Sequence, residues 1–262
     1  MLSMDLKGKT ALVAGSTQGI GLASAQALAS LGANCILISR DEEKLKTAVN
    51  SLDVQAGQRH GHLVADFQQP DQVAQVVSDF LQHNTVDILI NNSGGPAAGP
   101  ASDARPEQFL QAFQQHLICN HILTTQVMAG MKAKGYGRII NIISTSVKIP
   151  LKNLGVSNTI RGAVASWAKT MANELGKFGI TVNNVLPGAT ATGRLEAIIN
   201  NKVNKTGMAQ DEVEREMLEE IPAGRFGQPE EIAAVVAFLA TPAAAYVNGT
   251  SIAVDGGRTG SI

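Results

Sequence analysis

Charge is scarce in this chain. Only 16% of the residues are Asp, Glu, Lys or Arg, against about 25% in an average globular protein. The 21 basic and 22 acidic side chains leave a net charge of −1. Without a basic surplus, neither nucleic acid nor an anionic membrane surface is an expected partner. Cysteine is nearly absent. Cys35 and Cys119 lie in the apolar contexts NCILI and LICNH with no CxxC spacing. They read as free buried thiols in a reducing compartment, and neither a disulfide framework nor a metal site is expected. The opening MLSMDLKGKT lacks the basic and apolar regions of a signal peptide. No apolar run reaches the ~18 residues of a membrane span. A cytoplasmic protein taking small molecules is the expectation.

What is present is apolar and glycine-rich: 44% hydrophobic residues and 26 glycines among 262. That length fits one α/β domain of about 250 residues. Short apolar runs alternate with longer amphipathic stretches. Strands are read at 10–14, 34–39, 62–65, 86–91, 138–143, 180–186 and 251–254. Helices are read at 21–31, at 41–52 with Asp41 as N-cap, at 71–82, and as one long helix over 106–134. Two more follow at 156–177, with Ala163, Trp167, Thr170, Met171 and Leu175 on one face, and at 229–239 with Pro229 at its start. Seven strands separated by helices predict an α/β fold with a doubly wound parallel sheet covered on both faces. Residues 190–221 interrupt the alternation, read as helical in pieces, and suit a lid over a pocket.

Between the first strand and first helix stands Ala14-Gly15-Ser16-Thr17-Gln18-Gly19-Ile20-Gly21. A doubly wound fold binds a dinucleotide at this turn: glycines let the backbone approach the pyrophosphate, and a helix N-terminus offers free N–H groups. The second strand ends in Ser39-Arg40. An acidic residue there would take the ribose 2′-hydroxyl of NAD, whereas Arg40 suits a 2′-phosphate and favours NADP(H) over NAD(H).

The GxxxGxG spacing resembles the short-chain dehydrogenase/reductase family, whose usual form is TGxxxGIG, with Ala14 in place of the threonine. The resemblance runs the length of the chain through Asn91-Asn92-Ser93-Gly94 (the family's NNAG), NNVLPG over 183–188, IPAGRFGQPEEIA over 221–233 and VDGG over 254–257. It implies a Rossmann-type fold and 3-oxoacyl-reductase-like hydride transfer between nicotinamide and a carbonyl or alcohol. It places Asp66, with Phe67 beside it, at the adenine. Asn92, Ser93 and Gly94 fall by the ribose, and Pro187, Gly188, Thr190 and Thr192 by the nicotinamide and a phosphate. A homodimer or homotetramer is the usual assembly.

The family's catalytic set is Asn, Ser, Tyr and Lys, the last two as YxxxK. Counting back from Asn183 and Gly188 puts Ser157 at the tyrosine position, Arg161 at the lysine position, Ser144 at the serine and His116 at the asparagine. Only the serine is retained. Ser146 is the alternative if the register slips by two, and Lys148 lies nearby. Arg161, one turn after Ser157, is placed to hold ribose or oxyanion charge but not to release a proton. His116, with an unperturbed pKa of ~6.5, is the candidate acid, with water on Ser157 as a link. Three readings stay open: a reductase with a substituted proton path, an NADP(H)-binding sensor or partner subunit without turnover, and a shape-only assembly partner. The substrate wall is expected from 95–100, from residues after Ser144, and from Leu195, Ile198, Ile199 and Met208 of the lid.

Overall fold

The computed structural model describes residues 3–261. Its core is a seven-stranded, wholly parallel sheet in the order β3-β2-β1-β4-β5-β6-β7. The strands are β1 (Thr10–Ala14), β2 (Asn34–Ser39), β3 (Gly61–Val64), β4 (Ile88–Asn91), β5 (Gly137–Ile142), β6 (Ile180–Pro187) and β7 (Ser251–Val254). The strand order reverses between β1 and β4, the crevice where open α/β sheets bind ligands.

The central strands are buried on both faces, so they read as continuous apolar runs rather than alternating ones. Alternate residues feed two cores. Ala11, Val13, Leu37, Ile88 and Ile90 pack with Leu28 of α1 (Gly19–Ser30), Leu45 of α2 (Glu42–Asn50) and Ile232 and Val236. Leu12, Ile38, Leu89, Ile139 and Val182 pack on the other face with Val73 and Val77 of α3 (Pro70–Leu81) and with Leu123, Met171 and Leu175. Each fully buried Leu or Ile contributes about 1.5–3 kcal/mol of hydrophobic stabilisation.

Three strand asparagines form a ladder that the alternation does not announce. Asn91 Nδ2 donates to Asn141 Oδ1 (2.9 Å), Asn141 Nδ2 to Asn184 Oδ1 (3.0 Å), and Asn184 Nδ2 to Ser251 Oγ (3.1 Å). These residues are register partners across β4, β5, β6 and β7. A one-residue slip would strand buried amides, so the ladder penalises the wrong register.

Strand and helix boundaries agree with the sequence reading to within one or two residues, and Asp41 caps α2 by accepting from the Lys44 backbone N–H. Two expectations are corrected. The helix read over 106–134 is α4 (Pro106–Phe113) and α5 (Cys119–Lys134), joined by a π-helical turn at Gln114–Ile118. The extra residue of a π-turn is invisible to a 3.6-residue period. In α6 (Gly155–Leu175) the buried stripe runs through Ile160, Val164, Ala168, Met171 and Leu175. Thr170 is exposed, and Trp167 is half-buried, edge-on to His121.

The interruption after β6 is a pair of helices, α7 (Gly193–Thr206) and α8 (Gln210–Glu219), followed by α9 (Pro229–Ala240). Leu195, Ile199 and Val213 form a small core of their own with Met208 and Met217. Among the described residues no helix is long and apolar enough to cross a membrane. Cys35 and Cys119 are buried free thiols, and burial pushes both up to about 12.

Candidate active site

A cleft of about 1540 Å³ opens at the carboxyl ends of the strands. At one end lies the glycine-rich turn. The N-cap of α1, Gln18, has extended backbone and no side-chain cap, so the first N–H groups of this helix point into the cleft without a local partner. Gly19, at φ +55°, takes a conformation that a side chain would strain. Gly21 is required by proximity, since a Cβ there would stand 2.1 Å from the Gly15 carbonyl oxygen and 2.8 Å from Asn92 Nδ2. These are the features of an anion cradle, and they fit the two-phosphate linker of a dinucleotide.

Thr17, Gln18, Gly19, Ile20, Ser39, Arg40, Asp66, Phe67, Ser93 and Gly94 line the cleft, as do Pro187, Gly188, Thr190 and Thr192. Arg40 is exposed, with no carboxylate within ion-pair distance among the described residues. Ser16 departs from the expectation. It is fully buried beneath the turn, its hydroxyl has no partner, and it does not line the cleft. Asn92 lines the cleft but also clamps the turn, donating to Ala14 O (3.3 Å) and Gly15 O (3.1 Å).

At the other end stand Ser144, Ser157 and Arg161. Ser144 caps a short 3₁₀ turn, accepting from the Ser146 N–H at 3.1 Å, which leaves its own O–H free to donate. Ser146 is buried with an unpartnered hydroxyl, outside the cleft lining, and Lys148 is exposed. Ser157 and Arg161 share one face of α6, and Arg161 Nη1 donates to the Ile142 carbonyl at the end of β5 (3.0 Å). Burial and the neighbouring Arg194 cation lower Arg161 to about 10, so it remains a cation at neutral pH.

His116 is the main correction. The π-helical turn carries it into the interior, 1% exposed, where Nδ1 meets Ser93 Oγ at 2.7 Å and Nε2 has no partner. Burial, then the Arg161 and Arg194 cations, push its pKa down to about 2. It is therefore neutral near pH 7, and no imidazolium exists to serve as the acid. The sequence shows a histidine on a helix but not the depth to which that turn sinks it.

This depressed pKa carries a stability signature. A group whose folded pKa lies below its unfolded value of 6.5 contributes in full above pH 6.5, and the contribution fades as the pH falls toward 2. Between pH 7 and pH 5 the wild type should lose about 2 kcal/mol at this residue, and His116→Asn should not. Denaturant titration at the two pH values measures the difference; equal losses would mean that His116 is not buried neutral.

Arg194, at the start of α7, was not signalled by the sequence pattern. Its Nη2 donates to the Pro96 carbonyl at 2.7 Å and its guanidinium lies over Gly95. Leu195 and Ile198 also face the cleft, whereas Ile199 and Met208 turn into the small α7–α8 core.

A family model described as enoyl-(acyl carrier protein) reductase matches residues 14–259. The 3-oxoacyl-(acyl-carrier-protein) reductase of Vibrio cholerae is 34% identical over 257 residues, covering 97% of this chain and 98% of that protein. Among solved structures, L-sorbose reductase from Gluconobacter frateurii, complexed with NADPH and L-sorbose, has a TM-score of 0.91 at 30% identity over 99% of each chain. An NADPH-dependent reductase involved in bacilysin biosynthesis has a TM-score of 0.91 at 29% identity, over 97% of this chain and 99% of that one.

Proposed function

This chain belongs to the short-chain dehydrogenase/reductase family, and from that premise we propose that it is an NADP(H)-dependent oxidoreductase acting on a carbonyl or alcohol substrate, in the manner of the 3-oxoacyl reductases, with a substituted catalytic centre. The observation that carries this reading is one continuous cleft, running from the uncapped start of α1 to a free serine hydroxyl and a guanidinium. The NADPH-bound relative supports the cofactor. Bound NADPH supplies the hydride. The α1 N–H groups would hold the pyrophosphate and Arg40 the 2′-phosphate, with Thr190 and Thr192 toward the nicotinamide. Ser144 donates a hydrogen bond to the substrate oxygen, and Arg161 stabilises the negative charge that grows on it. With His116 neutral, a water held at Ser157 would give its proton to that oxygen, and the hydroxide left behind would be reprotonated by solvent through the open cleft. Self-association as a homodimer or homotetramer belongs to the same reading, consistent with the exposed Leu110 and Phe113 on α4.

Mixing the protein with NADPH and a panel of ketones, aldehydes and β-keto thioesters should show loss of nicotinamide absorbance. Tight NADPH binding without oxidation across the panel would instead mark a cofactor sensor or partner subunit. Replacing Arg40 by Asp removes a charge-assisted contact and adds repulsion. It should shift the ratio of kcat/KM for NADPH over NADH by about 100-fold toward NADH. An unchanged ratio would mean that the phosphate is read elsewhere.

A further inference from the structure

Two guanidiniums share the Ser144 end of the cleft without a carboxylate to neutralise them. Arg161 and Arg194 both line it, and each lowers its neighbours' affinity for protons. Among the described residues neither has an acidic group within ion-pair distance, whereas Arg225 pairs with Glu231, Arg258 with Glu220, Lys202 with Glu216 and Lys134 with Asp87. Of the other acids along the cleft, Asp41 faces Lys44, and Asp66 lies at the opposite end.

Arg138 shows how this protein buries an arginine for structure alone. Its guanidinium donates to the carbonyls of Thr241, Gly137 and Gly179 and stacks on Tyr136. Arg161 and Arg194 each reach one carbonyl, Ile142 and Pro96. A guanidinium has five N–H donors, so most of theirs remain free toward the cleft.

Half-buried cations, one of which lowers the other's hold on its proton, call for an anion to offset them. On the reading above, the cofactor's phosphates are held at the α1 end and at Arg40. A neutral ketone would relieve none of this charge.

We propose that the substrate is an oxo acid, or the corresponding hydroxy acid, whose carboxylate is held by Arg194 and Arg161 while its reacting carbonyl is directed to Ser144. Arg194, projecting from α7, supplies the outer contact, and a bidentate arginine–carboxylate pair fixes orientation as well as charge. This rests on the cleft being the substrate site of an NADP(H) enzyme.

The test uses 2-, 3- and 4-oxo acids of four to nine carbons, each paired with its primary amide. Each is titrated calorimetrically into the NADP⁺-loaded protein and assayed for NADPH oxidation. At least one acid should bind about 30-fold or more tightly than its amide. Arg194→Gln should bring that preference to within about threefold, and Arg194→Lys should restore part of it. Acids and amides binding alike throughout would overturn the proposal. So would Arg194→Gln weakening NADPH binding as much as acid binding, since Arg194 would then be a cofactor-phosphate residue. A preference for acids in binding, without NADPH oxidation by any compound, would leave the carboxylate site standing and remove the reductase reading.

Discussion

Replacing Arg161 by glutamine should lower kcat/KM by about 10²–10³-fold, the effect of removing one preorganised donor from a developing oxyanion. The side chain lies on the same α6 face as Ser157 and is anchored on the Ile142 carbonyl, so its free N–H groups are already aimed when substrate arrives. Fixed charge in a dry site stabilises the transition state without reorganising. NADPH affinity should change far less, because on the proposed reading the pyrophosphate and 2′-phosphate would be held at the other end of the cleft. The pH profile carries the same information. With His116 near 2 and Arg161 near 10, neither group titrates between pH 6 and pH 8.5 or so, and the wild-type rate should lack a histidine break there. Activity should hold across that range, because Arg161, lowered to about 10, keeps its proton throughout it. A limb with a pKa near 6.5 would show that a histidine other than buried His116 takes part in proton transfer.

Substituting alanine for Gly21 should weaken NADPH binding by about 100-fold or more and cost about 3 kcal/mol of stability. The added Cβ would overlap the Gly15 carbonyl oxygen at 2.1 Å and press on Asn92 Nδ2 at 2.8 Å. Both belong to rigid parts, the end of β1 and the end of β4, so neither can yield alone. The turn would lift away from β4, breaking the bonds that Asn92 makes to Ala14 and Gly15 and misaiming the first N–H groups of α1. Calorimetry with NADPH and denaturant titration read the two effects separately. Alanine tolerated in both would mean that the turn does not grip the cofactor.

The sheet was legible because its central strands are buried on both faces. Runs such as TALVA, NCILIS and ITVNNVL need no knowledge of their neighbours to be recognised. Legibility failed where a local period carries no depth. The π-turn at Gln114–Ile118 follows an ordinary helical pattern, yet its extra residue rotates His116 inward. Ser16 sits within a cofactor-binding motif, yet its side chain faces the interior. Arg194 had no signal, because its significance depends on Arg161, 33 positions earlier in the chain and on a different helix.

The order of strands and helices, the glycine turn that opens α1 and the positive charge after β2 all follow from residue identity and spacing, because those properties act over a few neighbouring residues. The asparagine ladder across β4 to β7, the neutrality of His116 and the meeting of two uncompensated guanidiniums exist only once distant segments are packed together. Burial and mutual electrostatics depend on which groups share a low-dielectric volume, and only the folded chain decides that.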